Sequence, residues 1–149
     1  MKLVEFFSPD EIDLELHAET KEEALKELVE LLSVNEKAEE LFRLLKKREN
    51  LGSTGIGKGV AIPHCRSLVA DRLRVVYGRK TRGLDFAAVD GKPVHHFFLI
   101  VAPPVEISNQ YLPVLGKIAQ FCKNPKNLSE LDAIDSAEKF FKVLERADL

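Results

Sequence analysis

Gly52-Ser53-Thr54-Gly55-Ile56-Gly57-Lys58-Gly59-Val60-Ala61-Ile62-Pro63-His64 carries four of the chain's eight glycines, and its reading decides between folds. Two nucleotide-binding folds are marked by glycine loops, and this stretch tests both. Gly52, four residues and then Gly57-Lys58 meet most of the phosphate-loop pattern, but Gly59 stands where that loop needs a magnesium-binding Ser or Thr. Such a loop also needs a strand before it and a helix after it. Here a helical stretch precedes, and Pro63 comes too soon for a helix begun at Lys58 to continue. The dinucleotide fingerprint fails on spacing, because Gly55, Gly57 and Gly59 are followed by Val60 where the last glycine belongs. What remains is a glycine-rich turn, either plain scaffolding or a cradle of unencumbered backbone N–H groups. It leads into a strand-like Val60-Ala61-Ile62 that closes at Pro63 and presents the imidazole of His64.

Outward from this turn, helical and strand patterns intermingle. Thr20-Lys21-Glu22-Glu23 reads as a capping box, and Ala24, Leu25, Leu28, Val29, Leu31 and Leu32 follow at helical spacing, which predicts a helix over 20–33. Asn35 is placed to cap a second helix, whose Ala38, Leu41, Phe42 and Leu45 form one stripe and which ends near Arg48. Residues 73–79 and 94–102 are short, β-branched and aromatic, and read as strands, the second apolar enough to be central. Leu112, Leu115, Ile118, Ala119 and Cys122 share a helical face. Pro113 fits only a first turn, so that helix starts near Asn109 to Leu112, and Pro125 stops it. A short helical piece near 128–133 and a last helix from Asp135 or Ser136 to Arg146 complete the pattern. The expectation is an α/β sheet covered by helices.

The 149 residues suit one domain spanning 1–149, and no repeat or linker divides them. With 22 Lys plus Arg against 24 Asp plus Glu, the net charge of −2 gives no footprint for nucleic acid or an anionic membrane surface. No apolar run approaches the ~20 residues of a membrane span, and the N-terminus lacks a signal peptide, so neither membrane insertion nor export is expected and the cytoplasm is the expected compartment. Cys65 and Cys122 are too few for a disulfide framework or a thiol-based zinc site, and nothing calls for a metal or another cofactor. Of the other histidines, His17 lies in a polar stretch without a partner motif. His95 and His96 are strand neighbours expected to point to opposite faces, either of them still a candidate to approach His64. Cys65 beside His64 raises a thiol enzyme as a rival, although sequence neighbours seldom face each other as nucleophile and base.

The same residues resemble the EIIA components of the bacterial sugar phosphotransferase system, of the fructose/mannitol type that includes the stand-alone nitrogen-regulatory EIIA proteins. The resemblance lies in Arg48-Glu49, Ser53-Thr54, Gly55, Gly57 and Ala61-Ile62-Pro63-His64. It extends to Lys21-Glu22-Glu23-Ala24, to the Asp90-Gly91-Lys92-Pro93-Val94 turn and to the Val101-Ala102-Pro103 strand end, and so covers nearly the whole chain. It implies a mixed β-sheet flanked by helices on both faces, a three-layer α/β/α fold. It also implies that His64 accepts a phosphoryl group from the phosphohistidine of HPr or its nitrogen-branch relative. An EIIB partner or a regulatory target protein would be the acceptor.

In those roles the residues make chemical sense. An imidazole attacks phosphorus without a separate base, and the phosphoramidate stays reactive. Arg48 and the N–H groups around Ser53 to Gly57 would stabilise the transferred charge, with Glu49 in support and the Thr54 hydroxyl holding either an imidazole nitrogen or a phosphoryl oxygen. One departure stands out. Many family members place a second histidine where this chain has Tyr111, which can donate a hydrogen bond but carries no positive charge. That residue motivates the alternative of a non-catalytic regulatory binding module. The chain's ending soon after its last helix, with no fused EIIB or membrane domain, favours a regulatory form.

Overall fold

Val94–Ala102, the most apolar run, forms the central strand β6, and a computed structural model that describes residues 2–105, 109–147 and 149 places it with the bounds its composition predicts. Burial on both faces explains that composition. Phe98, Ile100 and Ala102 enter the core on one side of the sheet, and Phe97, Leu99 and Val101 the core on the other. β5 (Arg74–Leu84) pairs antiparallel with β6 from Arg74↔Val101 to Arg79↔His96. Along the other edge of β6, β3 (Val60–Ala61) and β4 (His64–Arg66) pair parallel in one unbroken register, from Val60↔His96 to Arg66↔Ala102. β2 (Gly55–Gly57) folds back antiparallel on β3, and β1 (Ile12–Asp13) pairs parallel with β5, giving the order β1-β5-β6-β3-β2.

Helices cover both faces. α1 (Lys21–Leu31) and α2 (Ala38–Asn50) bury Ala24, Leu25, Leu28, Leu41 and Leu45 against one face. α3 (Tyr111–Lys123), α4 (Pro125–Ala133) and α5 (Ala137–Ala147) bury Val114, Ile118, Leu131, Phe140 and Val143 against the other. The result is the three-layer α/β/α fold with a mixed sheet that the family resemblance implies. No helix among the described residues is long and apolar enough to cross a membrane.

Several local expectations are corrected. Thr20 does cap α1, its hydroxyl oxygen accepting from the Glu23 N–H at 3.2 Å. Asn35 does not cap α2. It takes a left-handed φ of 55° and opens a 3₁₀ turn over Asn35–Lys37, so the helix begins at Ala38 and runs past Arg48 to Asn50. β5 extends past Arg79 to Leu84, because the polar Lys80-Thr81-Arg82-Gly83 forms a register-shifting bulge rather than a loop. Pro125 both ends and begins a helix. The Asn124 side chain accepts from the Lys126 N–H at 3.0 Å, and a proline at N1 needs no partner, so α4 starts earlier than 128. Pro63 is not an exit either: it only interrupts the strand line, its carbonyl accepting from the Ile100 N–H at 2.9 Å while pairing resumes at His64.

Candidate functional site

β4 and β6 run parallel, so their carboxyl ends share one edge of the sheet. α2, which packs on β4, ends close to this edge, and α3 begins there with Tyr111 against His64. His64 is the first residue of β4 and is half-buried. Its Nδ1–H donates to the Ile62 carbonyl at 2.7 Å. A carbonyl only accepts, so Nδ1 carries a proton, and in the neutral ring it is Nε2 that holds the free lone pair. Tyr111, the first residue of α3, sets its ring against that imidazole, with centroids 6.0 Å apart and planes at 61°. Burial pushes the Tyr111 phenol up to about 12, against the pull of Arg66 and Arg48, so it remains a hydrogen-bond donor at neutral pH.

The loop before β2 is built differently from a cradle of free N–H groups. Glu49, buried in the last turn of α2, accepts from the Lys21 ammonium at 2.8 Å, from the Thr54 N–H at 3.1 Å and from the Thr54 hydroxyl. The Thr54 hydroxyl is thereby committed to Glu49 and holds no imidazole nitrogen. Ser53 Oγ donates to the Phe86 carbonyl at 3.0 Å and accepts from the Gly55 N–H at 3.0 Å, so that N–H is engaged too. Gly55 is glycine for packing reasons, since a Cβ there would lie 2.8 Å from the Ala88 Cα. Arg48 Nη1 donates to the Gly52 carbonyl at 3.0 Å, which ties the guanidinium to the start of the same loop.

Gly57 does not join this group. With Lys58 and Gly59 it makes the β2–β3 turn, where all three have positive φ and the N–H groups of Lys92 and Lys58 hold the Asp90 carboxyl below the usual range. Gly57 pairs with Val60, four residues before His64, a distance of about 13 Å along a strand. His96 also pairs with Val60, so His95 and His96 sit at the opposite end of β6 and neither approaches His64. Cys65 points away from His64 into the α1–α2 side of the core, and burial pushes its thiol up to about 12. The thiol-enzyme reading fails on both counts.

One neighbour went unread in the sequence. Arg66 stands two residues after His64 on β4, with its guanidinium carbon 4.3 Å from the Tyr111 ring centroid and Nη1 donating to the Pro103 carbonyl at 3.1 Å. Strand periodicity carried through Pro63 would have found it, because residues 64 and 66 share a face. The edge therefore presents an oriented imidazole and a protonated phenol, with a guanidinium stacked on that phenol and a second one held at the glycine loop.

This fold has known counterparts. Residues 5–147 match the family model for the phosphoenolpyruvate-dependent sugar phosphotransferase system, EIIA 2, and the chain belongs to that family of phosphotransfer components. It is 33% identical over 148 residues to a nitrogen regulatory protein of Bradyrhizobium diazoefficiens, covering 97% of this chain and 95% of that one. The crystal structure of nitrogen regulatory protein IIA-Ntr from Neisseria meningitidis superposes with a TM-score of 0.88 at 30% identity, over 95% of this chain and 98% of that one. The fold is also that of the Escherichia coli enzyme IIA mannitol solved in complex with phosphorylated enzyme IIB mannitol, with a TM-score of 0.76 at 21% identity over 94% and 99% of the chains.

Proposed function

We propose that the protein is a phosphocarrier in which His64 Nε2 accepts a phosphoryl group from the phosphohistidine of an HPr-like protein. The observation that carries this reading is the hydrogen bond from Nδ1–H to the Ile62 carbonyl, which leaves Nε2 as the nucleophilic nitrogen. As the Nε2–P bond forms, the donor's N–P bond breaks and its imidazole leaves with the electron pair. The Nδ1 proton stays where the carbonyl holds it, and no separate base is needed. Positioning and charge stabilisation then supply the catalysis, with Arg48 and Arg66 as the cations at hand and the Tyr111 hydroxyl as a neutral donor. Glu49, Thr54, Ser53 and Gly55 act one step removed, by fixing the loop to which Arg48 is tied.

The surroundings suit a protein donor rather than a free sugar. Leu51 follows α2, Leu68 follows β4, Val105 follows β6 and Leu112 lies in the first turn of α3, and all four are largely exposed. Each lies in or just beyond an element that ends or begins at the His64 edge, an arrangement suited to a protein partner's apolar surface. The nitrogen-regulatory relatives favour a regulatory form whose phosphorylation state selects its target. An EIIB-type acceptor, as in the mannitol complex, is the other route for the phosphoryl group.

Incubation with phosphorylated HPr, or with its nitrogen-branch equivalent, followed by intact mass measurement tests the assignment. Wild type should gain one acid-labile phosphoryl group and His64→Ala none. Equal labelling of both chains would remove His64 from the role, and absence of labelling from either donor would favour the binding-module reading that Tyr111 motivates.

A further inference from the structure

At the end of the sheet away from His64, where β6 begins, a cavity of about 260 Å³ is lined by Lys58, Arg79, Thr81, His95, His96 and Asp132. Among the described residues that line it, the one carboxylate is already committed. Asp132 accepts from the His96 Nε2–H at 2.9 Å, and on the other side of that ring the Tyr77 hydroxyl donates to Nδ1 at 2.7 Å. Tyr77 and His96 are both buried, and this proton arrangement satisfies both nitrogens of a neutral imidazole. His95 is pinned as well, its Nδ1–H shared between the Lys80 and Thr81 carbonyls at 3.2 Å each.

The cations are placed otherwise. Half-buried Arg79 donates through Nε to the Leu14 carbonyl at 3.0 Å and through Nη1 to the Leu131 and Ile134 carbonyls at 2.8 Å each. These acceptors are neutral, so they orient the guanidinium without cancelling its charge. Among the described residues no carboxylate forms an ion pair with Arg79 or with the Lys58 ammonium. Two carboxylates stand near these cations without pairing with them: Asp132, and Glu15, which accepts from the Thr81 hydroxyl and feels the charge of Arg79. The cavity's volume falls just below that of pockets for drug-sized ligands, which suits an ion of few heavy atoms.

We propose that this cavity binds a small oxyanion, a phosphate or a carboxylate, between the Arg79 guanidinium and the Lys58 ammonium. The guanidinium is already held in a fixed orientation, so little ordering opposes a charge-assisted hydrogen bond from it. Asp132 and Glu15 oppose the anion and limit its affinity. The site is independent of the chemistry at His64, about 13 Å away along the strand.

Inorganic phosphate and succinate, titrated separately into the full chain at constant ionic strength, test this through the NMR signals of the Lys58 and Thr81 amides and the His95 and His96 rings. Saturating shifts at these positions are expected for at least one ion, and the ion that saturates assigns the chemistry. They should persist in His64→Ala, which separates them from any phosphate binding at the other edge. In Lys58→Asn, chosen because asparagine tolerates the φ of 58° there, binding should weaken about tenfold. Shifts that rise without saturation for both ions, or that saturate equally in Lys58→Asn, would overturn the proposal.

Discussion

A phosphoryl group on His64 would bring about two negative charges to an edge whose nearby cations are Arg48 and Arg66. Among the described residues the Arg48 side chain donates to the Gly52 carbonyl and to no buried group, so its loss should be felt in rate rather than stability. Arg48→Ala is expected to slow phosphorylation by HPr about 100-fold while its melting temperature stays near wild type. Rapid-quench kinetics beside a thermal melt would show the split, and unfolding in place of slowing would assign Arg48 to the scaffold. Tyr111 bears on the same balance from the other side of the imidazole. It stays neutral at physiological pH, with burial pushing the phenol up to about 12, whereas a histidine there would be cationic only below its own pKa. Tyr111→His should therefore alter transfer kinetics in a pH-dependent way between about pH 5.5 and 7.5. Tyr111→Phe, which removes only the hydroxyl, should have a smaller effect without that profile. Identical kinetics for all three chains would mean that the ring contact at 6.0 Å has no part in transfer.

At the scale of elements, the loop between α2 and β2 shows how a helix end can set a strand. Glu49 draws Lys21 of α1 and both polar groups of Thr54 together, and Gly55 then slides over Ala88 where no side chain fits. Gly55→Ala should cost about 1–3 kcal/mol, because a Cβ 2.8 Å from the Ala88 Cα forces backbone to move. Gly116 of α3 is the contrasting case, since a Cβ there would meet nothing within 4 Å. Gly116→Ala should gain up to about 1 kcal/mol from helix propensity alone, and urea unfolding of the two variants gives the comparison. These elements also mark how far the sequence is legible. β6 and the amphipathic helices can be read directly, because burial on two faces or on one stripe leaves a periodic trace. The second half of β5 cannot, since a bulge of Lys80, Thr81, Arg82 and Gly83 has the composition of a loop. His64, Arg48 and Tyr111 are legible through a motif. The commitment of Thr54 to Glu49, the separation of Gly57 from His64 and the approach of Arg66 to Tyr111 depend on tertiary contacts that no local pattern records.

Across the whole molecule, the layer of α3, α4 and α5 is tied to the sheet by polar contacts as well as by its apolar core. Arg79 of β5 donates to two carbonyls at the end of α4, and His96 of β6 donates to Asp132 of α4. The His96 contact makes that attachment sensitive to acid. Burial holds the His96 imidazole below its ordinary value, although Asp132 pulls the other way. In the unfolded chain a histidine takes up its proton as pH falls through about 6.5, whereas folded His96 resists until lower pH. Over that interval the unfolded state binds more protons, so stability drops as pH falls, by at most about 1.4 kcal/mol per pH unit for one proton. Above pH 6.5 the contribution is fully present, and below the folded pKa the loss is complete. The depressed carboxyls of Glu15, Asp90 and Asp135 act in the carboxylate range at lower pH and leave this window clear. His96→Gln keeps an acceptor for the Tyr77 hydroxyl but has no proton to gain. It should melt at a lower temperature than wild type at pH 8, and it should lose less stability than wild type between pH 6.5 and 5. Calorimetric melts of both chains across that range decide the matter, and parallel pH profiles would show that His96 takes up its proton equally in the folded and unfolded chains.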